Sequence, residues 1–138
     1  MMNRFYQILF YLLVVLLVGC NQTNSDKTSV SKNYAITTAE FDKLIHNFGN
    51  ITQGETVGCY YKVTNTGKTP LVIYNVKPGC GCTTAKYTKD PILPGKVGEI
   101  EIRFDSRGFS GNQYKVIRVD ANIEKKSKEL AITANVIN

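Results

Sequence analysis

Val57-Gly58-Cys59-Tyr60-Tyr61-Lys62-Val63-Thr64 is the stretch that decides the fold. Successive side chains of an extended chain point to opposite faces. Val57, Cys59, Tyr61 and Val63 therefore share one face, and Gly58, Tyr60, Lys62 and Thr64 the other. A mostly apolar face backed by a mostly polar one is the mark of a half-buried strand. Asn65-Thr66-Gly67-Lys68-Thr69-Pro70 follows as turn chemistry, and residues 71–76 read as the next strand, broken by Pro78 and Gly79. Residues 83–88 predict a shorter strand. Pro91 and the Pro94-Gly95 pair make a loop, with Pro-Gly suited to the centre of a type II turn. Across residues 97–104, Ile100, Ile102 and Phe104 face inward and Glu99, Glu101 and Arg103 outward. Gly108 and Gly111 bracket a turn. Tyr114, Val116 and Arg118 then alternate with Lys115, Ile117 and Val119, a polar hairpin occupies residues 124–128, and Leu130, Ile132, Ala134 and Val136 mark a last strand.

With an opening strand over residues 39–44, about seven short strands emerge at the spacing of an antiparallel sandwich. No helical stripe competes after residue 20. The expected fold class is all-β, an immunoglobulin-like antiparallel β-sandwich. It is not of the antibody type, because the chain has no Trp and lacks the paired inter-sheet cysteines. The composition agrees. With 138 residues, 43% hydrophobic and 20% charged, there is room for one globular domain and a tail. A multidomain enzyme, a repeat array and a polytopic transporter are excluded. The net charge of +6 comes from lysines spread along the chain, and nothing resembles a nucleic-acid module, so no nucleic-acid partner is expected.

Residues 1–19 have the layout of a secretory signal: Arg4 as the single charge, an uncharged run over residues 5–19, then small residues. A bilayer-crossing helix needs at least ~17 apolar residues, more than this run offers. Leu17-Val18-Gly19-Cys20 resembles the bacterial lipobox, which implies cleavage before Cys20 and lipidation of that cysteine. Two or more acyl chains anchor a protein stably where one does not. Residues 20–33 are almost purely polar and read as a flexible tether. The expected organisation is a signal peptide at 1–19, a lipidated cysteine and tether at 20–33, and the sandwich at 34–138. The expected place is the bacterial cell envelope, with the membrane as a partner through Cys20. No acidic run follows Cys20, which favours the periplasmic side.

Several blocks carry a family resemblance: His46-Asn47-Phe48-Gly49-Asn50-Ile51, Gly54-Glu55, Thr64-Asn65-Thr66-Gly67 with Pro70-Leu71-Val72-Ile73, Pro78-Gly79-Cys80-Gly81-Cys82-Thr83, Ile92-Leu93-Pro94-Gly95, and Phe104-Asp105-Ser106-Arg107-Gly108. In these the chain resembles the bacterial family known as domain of unknown function 1573, over nearly all of the globular part. The resemblance implies an envelope protein with a sandwich similar to those of motile-sperm proteins and pilus chaperones. It implies no mechanism, and fold alone does not license one.

The cysteines are the site-like feature. In extended backbone Cys80 and Cys82 would stand about 6.6 Å apart on one side. Gly79 and Gly81 give the freedom to tighten that into a disulfide. Such a bond would be strained and easily reduced, which suits redox exchange rather than stapling. Alternatively, two thiolates so close grip a soft ion such as copper or zinc, with Cys59 and His46 as the further ligands on offer. Cys59 reads as core, disulfide partner or metal ligand. Direct pairing of the strands around Thr66-Gly67 would set it opposite Asn75; strands in different sheets would not. His46 lies in a loop-like stretch. Glu99 and Glu101 read as a solvent-facing charge ladder, and Ser106 and Ser110 have no nucleophile-elbow pattern nearby. No cofactor and no enzymatic activity are expected. Two function classes remain: a binding or scaffold module for an envelope protein or a glycan, and a thiol-redox or soft-metal protein working through Cys80 and Cys82.

Overall fold

The computed structural model describes residues 34–138. The signal peptide, the lipobox with Cys20, and the tether of residues 20–33 lie outside the described residues. The described chain forms β1 (Ala39–Phe41), β2 (Ile45–Thr52), β3 (Thr56–Asn65), β4 (Ile73–Pro78), β5 (Thr83–Tyr87), β6 (Val97–Asp105), β7 (Gly111–Ala121) and β8 (Ser127–Ile137). These strands make two four-stranded sheets, ordered β1-β3-β6-β5 and β2-β8-β7-β4. The all-β sandwich expected from the alternation is the fold.

Two details of the expectation are corrected. Eight strands form among the described residues where about seven were expected, because His46 lies in β2 and not in a loop. The second sheet is also mixed rather than antiparallel, since β2 runs parallel to β8 from Ile45↔Ala131 to Thr52↔Ile137. Both corrections have one cause. The register shifts between Asn47 and Asn50, where Gly49 takes φ +70°, a left-handed conformation that glycine adopts without a Cβ penalty. That bulge breaks the period of two on which strand recognition rests. The opening strand is also shorter than expected and stops at Phe41. Residues 42–44 cross between the sheets: Asp42 donates its N–H to Lys62 O on β3 (3.0 Å), and Leu44 O accepts from Ala131 on β8 (2.8 Å).

Residues 66–70 likewise carry the chain from one sheet to the other, so β3 and β4 are not neighbours. Cys59 pairs with Ile102 and not with Asn75. Between the sheets, Tyr61, Ile100, Ile102 and Phe104 meet Ile117, Val119, Leu130 and Ile132, all buried. Each such side chain contributes ~1.5–3 kcal/mol on full burial. The Tyr61 hydroxyl also donates to Ala131 O at 2.6 Å, tying the first sheet to the second.

Three buried polar residues hold the connections. The Asn65 amide uses all of its capacity: its oxygen accepts from Thr37 Oγ1 (3.0 Å) and Gly67 N–H (3.0 Å), and its nitrogen donates to Thr69 O and Ile92 O (both 2.8 Å). A Cβ at Gly67 would overlap Thr37 Oγ1 and stand 2.7 Å from Thr38 N, so the turn admits only glycine there. Asn122 accepts from Val72 N–H (2.7 Å) and donates to Ala35 O and Pro70 O. Ser106 Oγ lies 3.0 Å from Thr52 O and 2.8 Å from Glu55 O, fastening the β2–β3 turn to the end of β6. Among the described residues no buried side-chain nitrogen or oxygen lacks a partner. An unsatisfied buried polar group would cost ~1–3 kcal/mol.

Candidate functional site

Residues 79–82 carry the chain from β4, at an edge of the second sheet, to β5, at an edge of the first. Backbone bonds hold both ends of this crossover. Gly79 donates to Val116 O (2.9 Å), and Cys82 O accepts from Asp105 N–H (2.9 Å). Between them Cys80 and Cys82 form a disulfide with their Cα atoms 5.3 Å apart, so the backbone is drawn in from the extended separation. Buried Thr83 places its Oγ1 3.4 Å from Cys80 Sγ and 3.8 Å from Cys82 Sγ. A second tie spans the same two edges, where the Tyr87 hydroxyl donates to Tyr74 O at 3.0 Å. The block thus closes one side of the sandwich. In the bonded state neither sulfur is a thiolate, the form that binds metals and attacks disulfides.

The other ligand candidates do not gather around it. Ile102 pairs with Cys59 on one side and with Ala85 of β5 on the other. Cys59 is therefore two strands, about 10 Å, from the strand that follows Cys82. It is a buried free thiol, and burial pushes its pKa up, away from the reactive thiolate. His46 sits in the second sheet, edge-on to Phe48 with ring centroids 4.5 Å apart. Burial, and then the charge of Lys43, lower its pKa. Among the described residues no three of His, Cys, Asp and Glu come together as a metal-binding group.

The carboxylates lie where the alternation put them, on the outer face of the first sheet. Glu101 accepts from Arg103 Nε at 2.7 Å, and that bond holds its carboxyl below the ordinary range. Glu99 lies opposite Lys62. Ser106 is spent on the β2–β3 turn, and Ser110 O accepts from Gln113 Nε2.

What sequence reasoning missed is the open surface, because its parts are distant in the chain. One groove of about 450 Å³ runs between β1 and the β7–β8 hairpin, with Phe41, Leu44 and Ile123 on its walls. Another, of about 410 Å³, brings Tyr34, Ile36 and Tyr74 beside the Arg118–Asp120 ion pair. The roles of Asn65, Asn122 and Ser106 were also unforeseen. An Asn beside a turn glycine was the available signal for Asn65 alone.

Residues 39–136 match the model of a family described as protein of unknown function (DUF1573). No curated protein matches the chain. A solved protein of unknown function from Porphyromonas gingivalis superposes with a TM-score of 0.65 at 20% identity, covering 73% of this chain and 47% of its own. The chain thus spans about half the length of that protein. The ASH/PapD-like domain of human CEP192 superposes at 0.58 with 14% identity, covering 75% of this chain and 87% of its own. The secreted serine protease VesC from Vibrio cholerae does so at 0.54 with 9% identity, covering 75% and 23%. At such identities the likeness is one of fold.

Proposed function

The chain belongs to the DUF1573 family of proteins of unknown function, and from that premise we propose that it is a lipid-anchored protein of the bacterial cell envelope whose β-sandwich serves as a binding module. The observation that carries the binding half is the fate of the reactive groups. Cys80 and Cys82 are bonded to each other, Cys59 is buried, His46 is packed against Phe48, and Glu101 is paired with Arg103. Chemistry is left little to work with, while grooves and sheet edges stay open on the outside. An exposed strand edge is a template for a partner strand. The anchoring half rests on Leu17-Val18-Gly19-Cys20 at the end of the apolar run, followed by polar residues before the folded part begins. The periplasmic side is the favoured address, and an envelope protein or a glycan the favoured partner.

The test joins both halves. Cells grown with an alkyne fatty acid should label the wild-type chain and keep it with the membrane fraction. Cys20→Ala should lose the label and leave that fraction. A photo-crosslinker at Phe41 or Tyr74 should give discrete adducts in intact cells. Equal labelling of the two proteins would refute the anchor, and no adduct from any outer position would refute the module.

A further inference from the structure

One end of the outer face of the second sheet is built without charge. The register stacks Asn50, Asn135 and Asn112 in one row across β2, β8 and β7, and Asn47, Thr133 and Tyr114 in the next. Inward-facing Ala134 and Val136 are buried, so Thr133 and Asn135 point away from the core. The bulge brings Asn47 and Asn50 to the same face although they are three apart, and Gly49 N–H caps Asn47 Oδ1 at 2.9 Å. Together these residues line a depression of about 480 Å³, and every residue lining it is uncharged. That is unusual in a chain where one residue in five is charged. Charge returns only beyond the Ile45–Ala131–Val116 row, at Arg118 and Glu129.

The chemistry of the array is specific. A primary amide has two donor hydrogens and an acceptor oxygen with two lone pairs. Asn135 spends one donor on Asn50 Oδ1 at 2.9 Å, which orients both groups and leaves each with capacity to spare. Tyr114 is 59% exposed, so its ring offers an apolar face beside the amides. At ~4.8 Å between strands, three strands give a platform about 10 Å wide. Protein partners favour an apolar centre with Arg anchors; here the exposed Ile45 and Val116, and Arg118 beyond them, stand beside the amide rows rather than at their centre. A sugar ring matches these rows: hydroxyls that both donate and accept meet amides that do the same, and a face of C–H groups meets the phenol ring.

We infer that the Asn47–Asn50–Asn112–Tyr114–Thr133–Asn135 face binds a neutral oligosaccharide, lying across β2, β8 and β7. This rests on the binding-module reading and names its ligand class. The full chain, purified in a sugar-free detergent, is titrated calorimetrically with chitohexaose, maltohexaose and, as a charged control, oligogalacturonate. At least one neutral hexasaccharide should bind saturably. Tyr114→Ala should weaken it at least about tenfold, the size of a buried aromatic anchor, while Tyr114→Phe stays within about threefold. Asn112→Ala, a change at an exposed position, should weaken it with unchanged melting. Tyr60→Ala, on the outer face of the other sheet, should leave affinity as it was. The inference is overturned if neither neutral sugar binds, if only the charged one does, or if Tyr114→Ala and Asn112→Ala both bind like wild type. Discrete adducts in cells without sugar binding would remove this inference alone; loss of both would remove the module reading as well.

Discussion

The two sheets present opposite kinds of exterior over one interior. On the first, Lys62 faces Glu99, Tyr60 faces Glu101, and Arg103 pairs with Glu101. On the second, one end of β2, β8 and β7 presents amides, a hydroxyl and a phenol ring, and the Arg118–Asp120 pair stands toward the other end. Inward, both sheets supply the same commodity, a row of branched and aromatic side chains. Alternation therefore explains what the sheets share, and the residues of opposite parity explain where they differ. A ladder of mixed charge keeps a surface hydrated, and its ion pairs contribute little to stability. The uncharged amide rows with their exposed ring have no such role to play, which is why a ligand is the better account of them.

The comparison breaks completely if the shared interior is removed. Ile102→Asp puts a carboxylate at a fully buried position and should cost more than about 4 kcal/mol, read as loss of the cooperative transition in urea. Asn65→Ala should cost about 3 kcal/mol by leaving Thr69 O, Gly67 N–H and Thr37 Oγ1 without their partner, an effect no polar residue of the outer faces should match. Replacing the disulfide in Cys80→Ser with Cys82→Ser should cost roughly 1–2 kcal/mol, because so short a loop frees little chain entropy, and should leave the amide face intact.

Alkali sharpens the interior further. Burial raises the Cys59 thiol from its ordinary 9.0 and the Tyr61 phenol from its ordinary 10.0. Below pH 9 both are neutral whether folded or unfolded, so that part of the stability is fully present. Above it the unfolded chain ionises first, and stability is lost as the pH climbs toward the raised folded values. Melting temperature should fall from pH 9 upward, and less steeply in Cys59→Ala. The smallest effect belongs to the charged face. Glu101→Gln, which cuts a surface ion pair, should leave the melting temperature nearly unchanged.

Much of the fold was legible in residues 57–63, 100–104 and 130–136, where one apolar side chain in two is enough to declare a half-buried strand. β2 was not, because the Gly49 bulge interrupts its period and its parallel partner lies more than eighty residues further along the chain. The buried state of Cys59 followed from its parity with Val57 and Tyr61. The bonding of Cys80 to Cys82 did not follow from spacing, which left disulfide, thiol and metal open until the crossover was seen to draw their Cα atoms together. The amide face was hidden for a different reason: Asn47, Asn112 and Asn135 mean nothing singly, and only register makes them neighbours.

Intact mass spectrometry of the chain taken from its membrane, alkylated in denaturant before and after reduction, tests the central claim most directly. A lipid-anchored module whose sulfurs serve structure predicts loss of residues 1–19, acyl mass on Cys20, one alkylated thiol without reduction and three with it. A mass that retains Met1 to Gly19, or three thiols open before any reductant is added, would contradict it.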